Sequence, residues 1–146
     1  MDSGHEFLEH TADIQVHAWA PSMAALFREI GLVLARVIIE GPDVQLTRDI
    51  EVDVEAKDLE ALLFDWLTEI LYYFDSERLV IGEIVITSLE GSKEAGGYTI
   101  TSKFQGEPYK HGYHVPGTEV KAITYSYMKL GKEQDGLYHL TIIFDI

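Results

Sequence analysis

The sequence contains no cysteine among its 146 residues. Disulfide bonds, thiolate metal ligands and a cysteine nucleophile are therefore excluded. It also lacks any apolar run near the roughly 18 residues that a membrane-spanning helix needs. Its first residues show neither the basic nor the apolar segment of a signal peptide. These absences predict a cytoplasmic protein without a membrane partner, and they leave nuclear residence open.

Basic residues are scarce. Lys and Arg number 11 against 25 Asp and Glu, which gives a formal net charge of −14. Affinity for nucleic acids comes mainly from basic side chains that displace counterions from the phosphates, and the sequence has no basic stripe. Direct binding to nucleic acid is therefore not expected. A cation, or a basic protein that itself binds RNA, is a better electrostatic match for such a surface.

Sequence motifs of the common enzyme classes are missing as well. There is no glycine-rich phosphate loop and no Gly-x-Ser-x-Gly nucleophile elbow. Metal-dependent hydrolysis would need a cleft with an activated water, and the chain shows no dedicated general base. The sequence therefore favours a non-catalytic protein.

Hydrophobic periodicity predicts the secondary structure. Helical spacing indicates one helix that begins after Ser22 and ends at Gly41-Pro42, and a second that begins after Asp58. Alternation and turn signals predict strands at 14–19, 50–55, 79–89, 97–105, 119–130 and 137–145, with a long loop at 106–117. This order predicts a single α+β domain over residues 1–146, in two layers, with mostly antiparallel sheet and two helices.

Carboxylates could meet at the two ends of the chain. Asp13 closes the polar segment 9–13 just before a strand. It either bonds the local backbone in a turn or offers a carboxylate to a hard cation. Asp145 lies beside the main-chain carboxylate of Ile146, and two such groups repel unless a cation or donors separate them. A solvated chain end is the alternative.

Two further clusters have both a structural and a functional interpretation. The second helix carries a polar stripe opposite its apolar face, which is either a solvated face or an acidic docking face. Its members are Asp58, Ala61, Asp65, Thr68, Glu69 and Tyr72. His111 and His114 share the 106–117 loop, but a zinc site normally needs more ligands. We therefore expect a plain loop there.

Four segments together resemble one family, the archeases. They are Phe7–Ile14 (FLEHTADI), Asp58–Leu67 (DLEALLFDWL), Gly117–Tyr125 (GTEVKAITY) and the terminal Asp145-Ile146. The resemblance covers nearly the whole chain and preserves the order of the segments. It implies an archease-like fold. It also implies a protein that activates the RtcB-type RNA ligase in tRNA splicing, by promoting guanylylation and multiple turnover of the ligase.

The resemblance also implies a metal site. Its ligands correspond to Asp13, Asp145 and the carboxylate of Ile146, and the cation would be Ca²⁺, with Mg²⁺ or Mn²⁺ as alternatives. An all-oxygen ligand set suits such hard ions. His10, Asp65 and Lys121 are the further positions expected on the functional surface. One alternative stays open, a general chaperone or modulator of nucleic-acid-modifying proteins with a purely structural metal.

Overall fold

The computed structural model describes residues 2–8, 13–41 and 43–146. Within these ranges the chain forms nine strands and two helices. They are β1 (Gly4–Leu8), β2 (Asp13–Ala20), α1 (Met23–Ile38), β3 (Ile39–Glu40), β4 (Arg48–Ala56), α2 (Leu59–Glu77), β5 (Leu79–Ser92), β6 (Gly97–Pro108), β7 (Val115–Pro116), β8 (Ala122–Lys132) and β9 (Tyr138–Asp145).

Two larger sheets and a short strand pair organise these elements. The four-stranded sheet has the order β1-β2-β9-β8, the three-stranded sheet has the order β4-β6-β5, and β3 pairs with β7. Every pairing among these strands is antiparallel. Each helix contacts both larger sheets: α1 packs on β2 and β5, and α2 packs on β4 and β8. The predicted α+β class with antiparallel sheets and two helices is confirmed.

Both helices begin at the predicted residues. The Ser22 hydroxyl oxygen accepts a hydrogen bond from the Ala25 amide at 3.1 Å, and an Asp58 carboxylate oxygen accepts one from the Ala61 amide at 2.7 Å. Each side chain satisfies an amide that has no partner within its helix. The helix starts could therefore be predicted from local sequence.

The end of α1 was predicted wrongly at Gly41-Pro42, and Pro42 itself lies outside the described residues. The helix ends at Ile38 and β3 begins at once. The amides of Gly117 and Thr118 donate to the carbonyls of Ile38 and Val37, each at 2.8 Å. The last turn of the helix is thus closed by a segment far along the chain, which no local signal reports.

Other differences concern the strands. Strand β1 was missed, because its sequence GHEFL lacks a clear alternation. The 106–117 segment is not one long loop, since β6 continues to Pro108 and β7 lies inside it. The predicted strand 119–130 begins only at Ala122, and its register with β9 is broken between Thr124 and Lys129.

The core is one contiguous cluster between the helices and both larger sheets. Its largest fully buried side chains include Trp66, Phe27, Phe104 and Phe144. The Trp66 indole N–H donates to the buried Ser102 hydroxyl at 2.9 Å, and Ser102 donates to the Val52 carbonyl at 2.6 Å. No helix in the described part of the chain has the length and apolarity needed to cross a membrane.

Candidate functional site

Asp13 and Asp145 lie directly opposite each other across β2 and β9. Alternation along β2 turns Val16 and Ala18 into the core, so that Asp13 lies on the outer face of the four-stranded sheet. Directly paired residues point to the same face, with their Cβ atoms about 4.5–5.5 Å apart. The fold therefore places two carboxylates, one from each end of the sequence, side by side.

Lys121, predicted for the functional surface, and Ile146, predicted as a ligand, both lie next to this pair. The Lys121 amide donates to the Asp145 carbonyl at 2.8 Å, so the segment entering β8 is tied to the end of β9. Ile146 follows β9 directly, and 37% of its surface is exposed. We call Asp13, Asp145, Lys121 and Ile146 the carboxylate edge. Binding of a cation by this edge stays a prediction.

The chemistry of the edge suits a hard cation. Its two aspartate side chains offer carboxylate oxygens, which Ca²⁺ and Mg²⁺ prefer. Two facing carboxylates repel each other unless a cation or hydrogen-bond donors lie between them. Among the described residues no three histidine, aspartate or glutamate side chains form a ready metal-binding group. The third ligand expected from the sequence, the main-chain carboxylate of Ile146, stays a prediction.

An open groove of about 550 Å³ adjoins Asp13. Its apolar lining comes from Phe7, Leu8, Ile14, Val33 and Val37. Phe7 is an unusual residue to leave on a surface, with 57% of its area exposed. Exposed apolar area beside polar groups is typical of an interaction site.

Asp65 lies on a second surface, formed by the outer face of α2 and the irregular part of β8. Tyr125 stacks on Phe64 of α2, with ring centroids 4.3 Å apart and planes within 4°. Tyr127 adopts a left-handed φ of 60°, and 73% of its area is exposed. We call Asp58, Glu60, Asp65, Tyr125 and Tyr127 the acidic aromatic surface.

The pKa of the Tyr125 phenol is raised above its ordinary value of 10 on this surface. Burial is the largest cause that raises the pKa of Tyr125, and the negative charges of Asp65, Asp58 and Glu60 raise it further. A neutral tyrosine hydroxyl beside carboxylates can donate and accept hydrogen bonds. The surface thus combines negative charge with aromatic area, a pairing that suits arginine and lysine side chains.

Several sequence predictions have a definite outcome in the structure. The polar stripe of α2 faces outwards, with Asp58, Asp65, Thr68 and Tyr72 exposed. His10 lies outside the described residues, so its predicted role is untested.

The interpretation of the 106–117 segment as a plain loop was wrong for His114, which is buried with Glu107. The Gln45 amide and His114 Nε2 each donate to Glu107 Oε2 at 3.0 Å. The Lys110 amide donates to His114 Nδ1 at 2.8 Å, which places the ring proton on Nε2. The Gln45 amide is the main cause that lowers the pKa of Glu107, with His114 and Lys110 adding to it.

No local pattern indicates this pair. Alternation in β6 buries Ile100, Ser102 and Phe104, and Glu107 falls out of that phase. A second histidine pair, His17 and His139, likewise leaves no sign in the local sequence.

Comparisons with known proteins agree over almost the full length. The chain matches the archease protein family over residues 5–146. It is 35% identical over 144 residues to an archease-like protein of Drosophila melanogaster, covering 97% of this chain and 90% of the relative. It is 35% identical over 141 residues to the archease of Pyrococcus furiosus, covering 97% of each.

Structural similarity points the same way. The solution structure of Methanobacterium thermoautotrophicum protein 1598 superposes with a TM-score of 0.79 at 28% identity, covering 98% of this chain and 99% of that one. With a family match over most of its residues and relatives at this level of identity, the chain belongs to the archease family.

Proposed function

We propose that this archease-family protein is a non-catalytic activator of an RtcB-type RNA ligase in tRNA splicing, acting in the cytoplasm. It promotes guanylylation of the ligase and so supports multiple turnover. The observation that carries the proposal is the carboxylate edge, where Asp13 and Asp145 pair across β2 and β9. The family match extends to both strands that form this edge.

In this proposal Asp13, Asp145 and the Ile146 carboxylate hold Ca²⁺, with Mg²⁺ or Mn²⁺ as alternatives. When bound, the cation neutralises the carboxylates and offers open coordination positions to oxygen ligands. The protein's part is positional. The bond from the Lys121 amide to the Asp145 carbonyl holds the end of β9 against β8, and the β2–β9 register keeps both aspartates on one face.

The charge of the protein favours a protein partner over RNA. A net charge of −14 repels phosphate backbones, so the ligase rather than its activator would hold the RNA. Two surfaces are available for that contact. The groove beside Asp13 exposes Phe7, and the acidic aromatic surface lies along α2 and β8, the strand that Lys121 leads into.

The test is a guanylylation assay with the cognate ligase, at sub-stoichiometric and equimolar amounts of this protein. Asp145→Asn should abolish most of the stimulation, because it removes a ligand charge while leaving the carbonyl that accepts from Lys121. Asp53→Asn is the matched control, since Asp53 is an exposed aspartate of β4 in the other large sheet. It makes the same charge change and should stimulate like wild type.

Three results would count against the proposal. Full stimulation by Asp145→Asn would show that activation does not need the carboxylate edge. Absence of stimulation by the wild-type protein would show that it does not activate this ligase. Pull-downs that recover many unrelated nucleic-acid-modifying proteins, without one dominant ligase, would favour the general chaperone with a structural metal.

A further inference from the structure

Two histidines face each other on the outer face of the four-stranded sheet. His17 of β2 and His139 of β9 occupy diagonal positions, because His17 pairs with Thr141 and Trp19 pairs with His139. His17 Nε2 lies 2.8 Å from His139 Nδ1, and the two ring planes are within 16° of parallel. Both side chains are partly exposed, 27% for His17 and 13% for His139, so that solutes can reach them.

A carboxylate holds the outward nitrogen of each ring. Asp135 Oδ2 lies 2.7 Å from His139 Nε2, and Glu6 Oε1 lies 3.3 Å from His17 Nδ1. Asp135 is itself held in place by the Leu137 amide, which donates to its other oxygen at 2.9 Å. The result is a chain of four groups, Glu6–His17–His139–Asp135, with two imidazole nitrogens at its centre.

Counting protons shows what the centre requires. Three hydrogen bonds run along this chain, and both ends are acceptors when ionised. Three N–H groups are needed, whereas two neutral imidazoles supply only two. Without a metal, all three bonds would form only with one extra proton between the two rings. A cation between His17 Nε2 and His139 Nδ1 would replace that proton and leave one N–H on each ring for Glu6 and Asp135.

From this geometry we propose a transition-metal site, with His17 Nε2 and His139 Nδ1 as ligands and Zn²⁺ as the ion it fits. Metal-binding histidines almost always donate their other N–H to a carboxylate or carbonyl, which sets the tautomer and strengthens the ligand. Glu6 and Asp135 already occupy those positions. Imidazole nitrogens suit Zn²⁺, Cu²⁺ and Ni²⁺, whereas Ca²⁺ and Mg²⁺ prefer oxygen.

The third ligand is Glu133. Its Oε1 lies 3.9 Å from His139 Nδ1, the same nitrogen that faces His17, and its side chain is 62% exposed. No three such side chains of the described residues already surround one point, so Glu133 swings inwards on binding. The rings also separate by about 0.5 Å, because two nitrogens at Zn–N distances of about 2.0 Å in a tetrahedral site lie farther apart. Water completes the site.

This site is separate from the carboxylate edge. His17 lies four residues along β2 from Asp13, which is about 13 Å at the rise of a strand. The two sites share one face of the sheet but differ in ligand chemistry. The inference therefore stands independently of the proposed function, and the failure of one leaves the other intact.

Calorimetric titration of the tag-free full chain with Zn²⁺ tests the proposal. Wild type should bind one Zn²⁺ in a single saturable step. His17→Gln and His139→Gln should each remove that step. His111→Gln is the matched control, because His111 is an exposed histidine of the 109–114 connection, and it should bind like wild type. Asp135→Asn should weaken binding by about 10–100-fold.

Further measurements distinguish loss of Zn²⁺ binding from loss of the fold. Circular dichroism and thermal unfolding without metal show whether each variant is folded, and ¹H–¹⁵N spectra of the histidine rings report which nitrogens change on adding Zn²⁺. Asp145→Asn should retain Zn²⁺ binding. The proposal is overturned if wild type takes up no Zn²⁺, if folded His17→Gln binds as wild type does, or if Zn²⁺ binding is lost with Asp145→Asn and kept with His17→Gln.

Discussion

At the scale of single residues, Glu107 is a buried carboxylate that accepts two hydrogen bonds on one of its oxygens. It is 1% exposed and accepts from the Gln45 amide and from His114. Hydrogen bonds to a charged group contribute about 1.5–3 kcal/mol each. Glu107→Gln keeps the shape and removes the charge, so that the free energy of unfolding should fall by about 2 kcal/mol at neutral pH. Urea titration measures it.

The same substitution has a pH signature. The pKa of Glu107 is lowered below its ordinary value of 4.5, with the Gln45 amide as the main cause. Its contribution is therefore present at pH values above the ordinary pKa and is lost as the pH falls through the lowered one. The stability gap between wild type and Glu107→Gln should narrow from pH 7 to about pH 3. A gap that stays constant or widens contradicts this assignment. Glu94→Gln, at an exposed turn, should have the same free energy of unfolding as wild type at both pH values.

Residues of the candidate site differ in how far the sequence could reveal them. Strand alternation alone puts Asp145 opposite the core-facing side of β9, and family resemblance selects Asp13 as its companion. The pairing of Glu107 with His114 depends on how the 106–117 segment folds over β3. The His17–His139 contact depends on the register of β2 with β9, a contact between residues 122 positions apart. Neither can be derived from local spacing.

At the scale of elements, the Ser102 hydroxyl links α2 to the three-stranded sheet through buried hydrogen bonds. Ser102 accepts from the Trp66 indole and donates to the Val52 carbonyl, all buried. Ser102→Ala leaves a buried N–H without its acceptor, which costs about 1–3 kcal/mol. Chemical denaturation should show a loss in that range. Ser76→Ala, at an exposed position of α2, is the control and should change the free energy of unfolding by less than about 0.5 kcal/mol. An equal loss in both variants would contradict a stabilising role for the Ser102 hydrogen bonds.

Elements were predictable where their signals are local. The N-caps Ser22 and Asp58 start both helices because each satisfies an amide three residues ahead. The end of α1 was missed because Gly117 and Thr118 complete its last turn from a distance. A Cβ at Gly117 would collide with the Val37 carbonyl oxygen, so only glycine permits that approach. Ends set by tertiary contacts leave little trace in the neighbouring sequence.

At the scale of the whole molecule, the net charge is −14, so cations of any kind should stabilise the fold by screening the repulsion between its acidic side chains. Stabilisation by an ion bound at one site must be distinguished from this general effect. An ion that binds only the folded state adds about 2.7 kcal/mol at 100 times its Kd. Ca²⁺ should therefore raise the Tm of wild type by more than NaCl of equal ionic strength does.

The stability of Asp145→Asn relative to wild type should change sign when Ca²⁺ is added. Without Ca²⁺ it should be at least as stable as wild type, because one of two facing carboxylates has lost its charge. With Ca²⁺ it should be the less stable protein, while Asp53→Asn should follow wild type in both conditions. Differential scanning calorimetry of the three proteins measures the crossover, and parallel responses of all three to Ca²⁺ would show that the ion acts by screening alone.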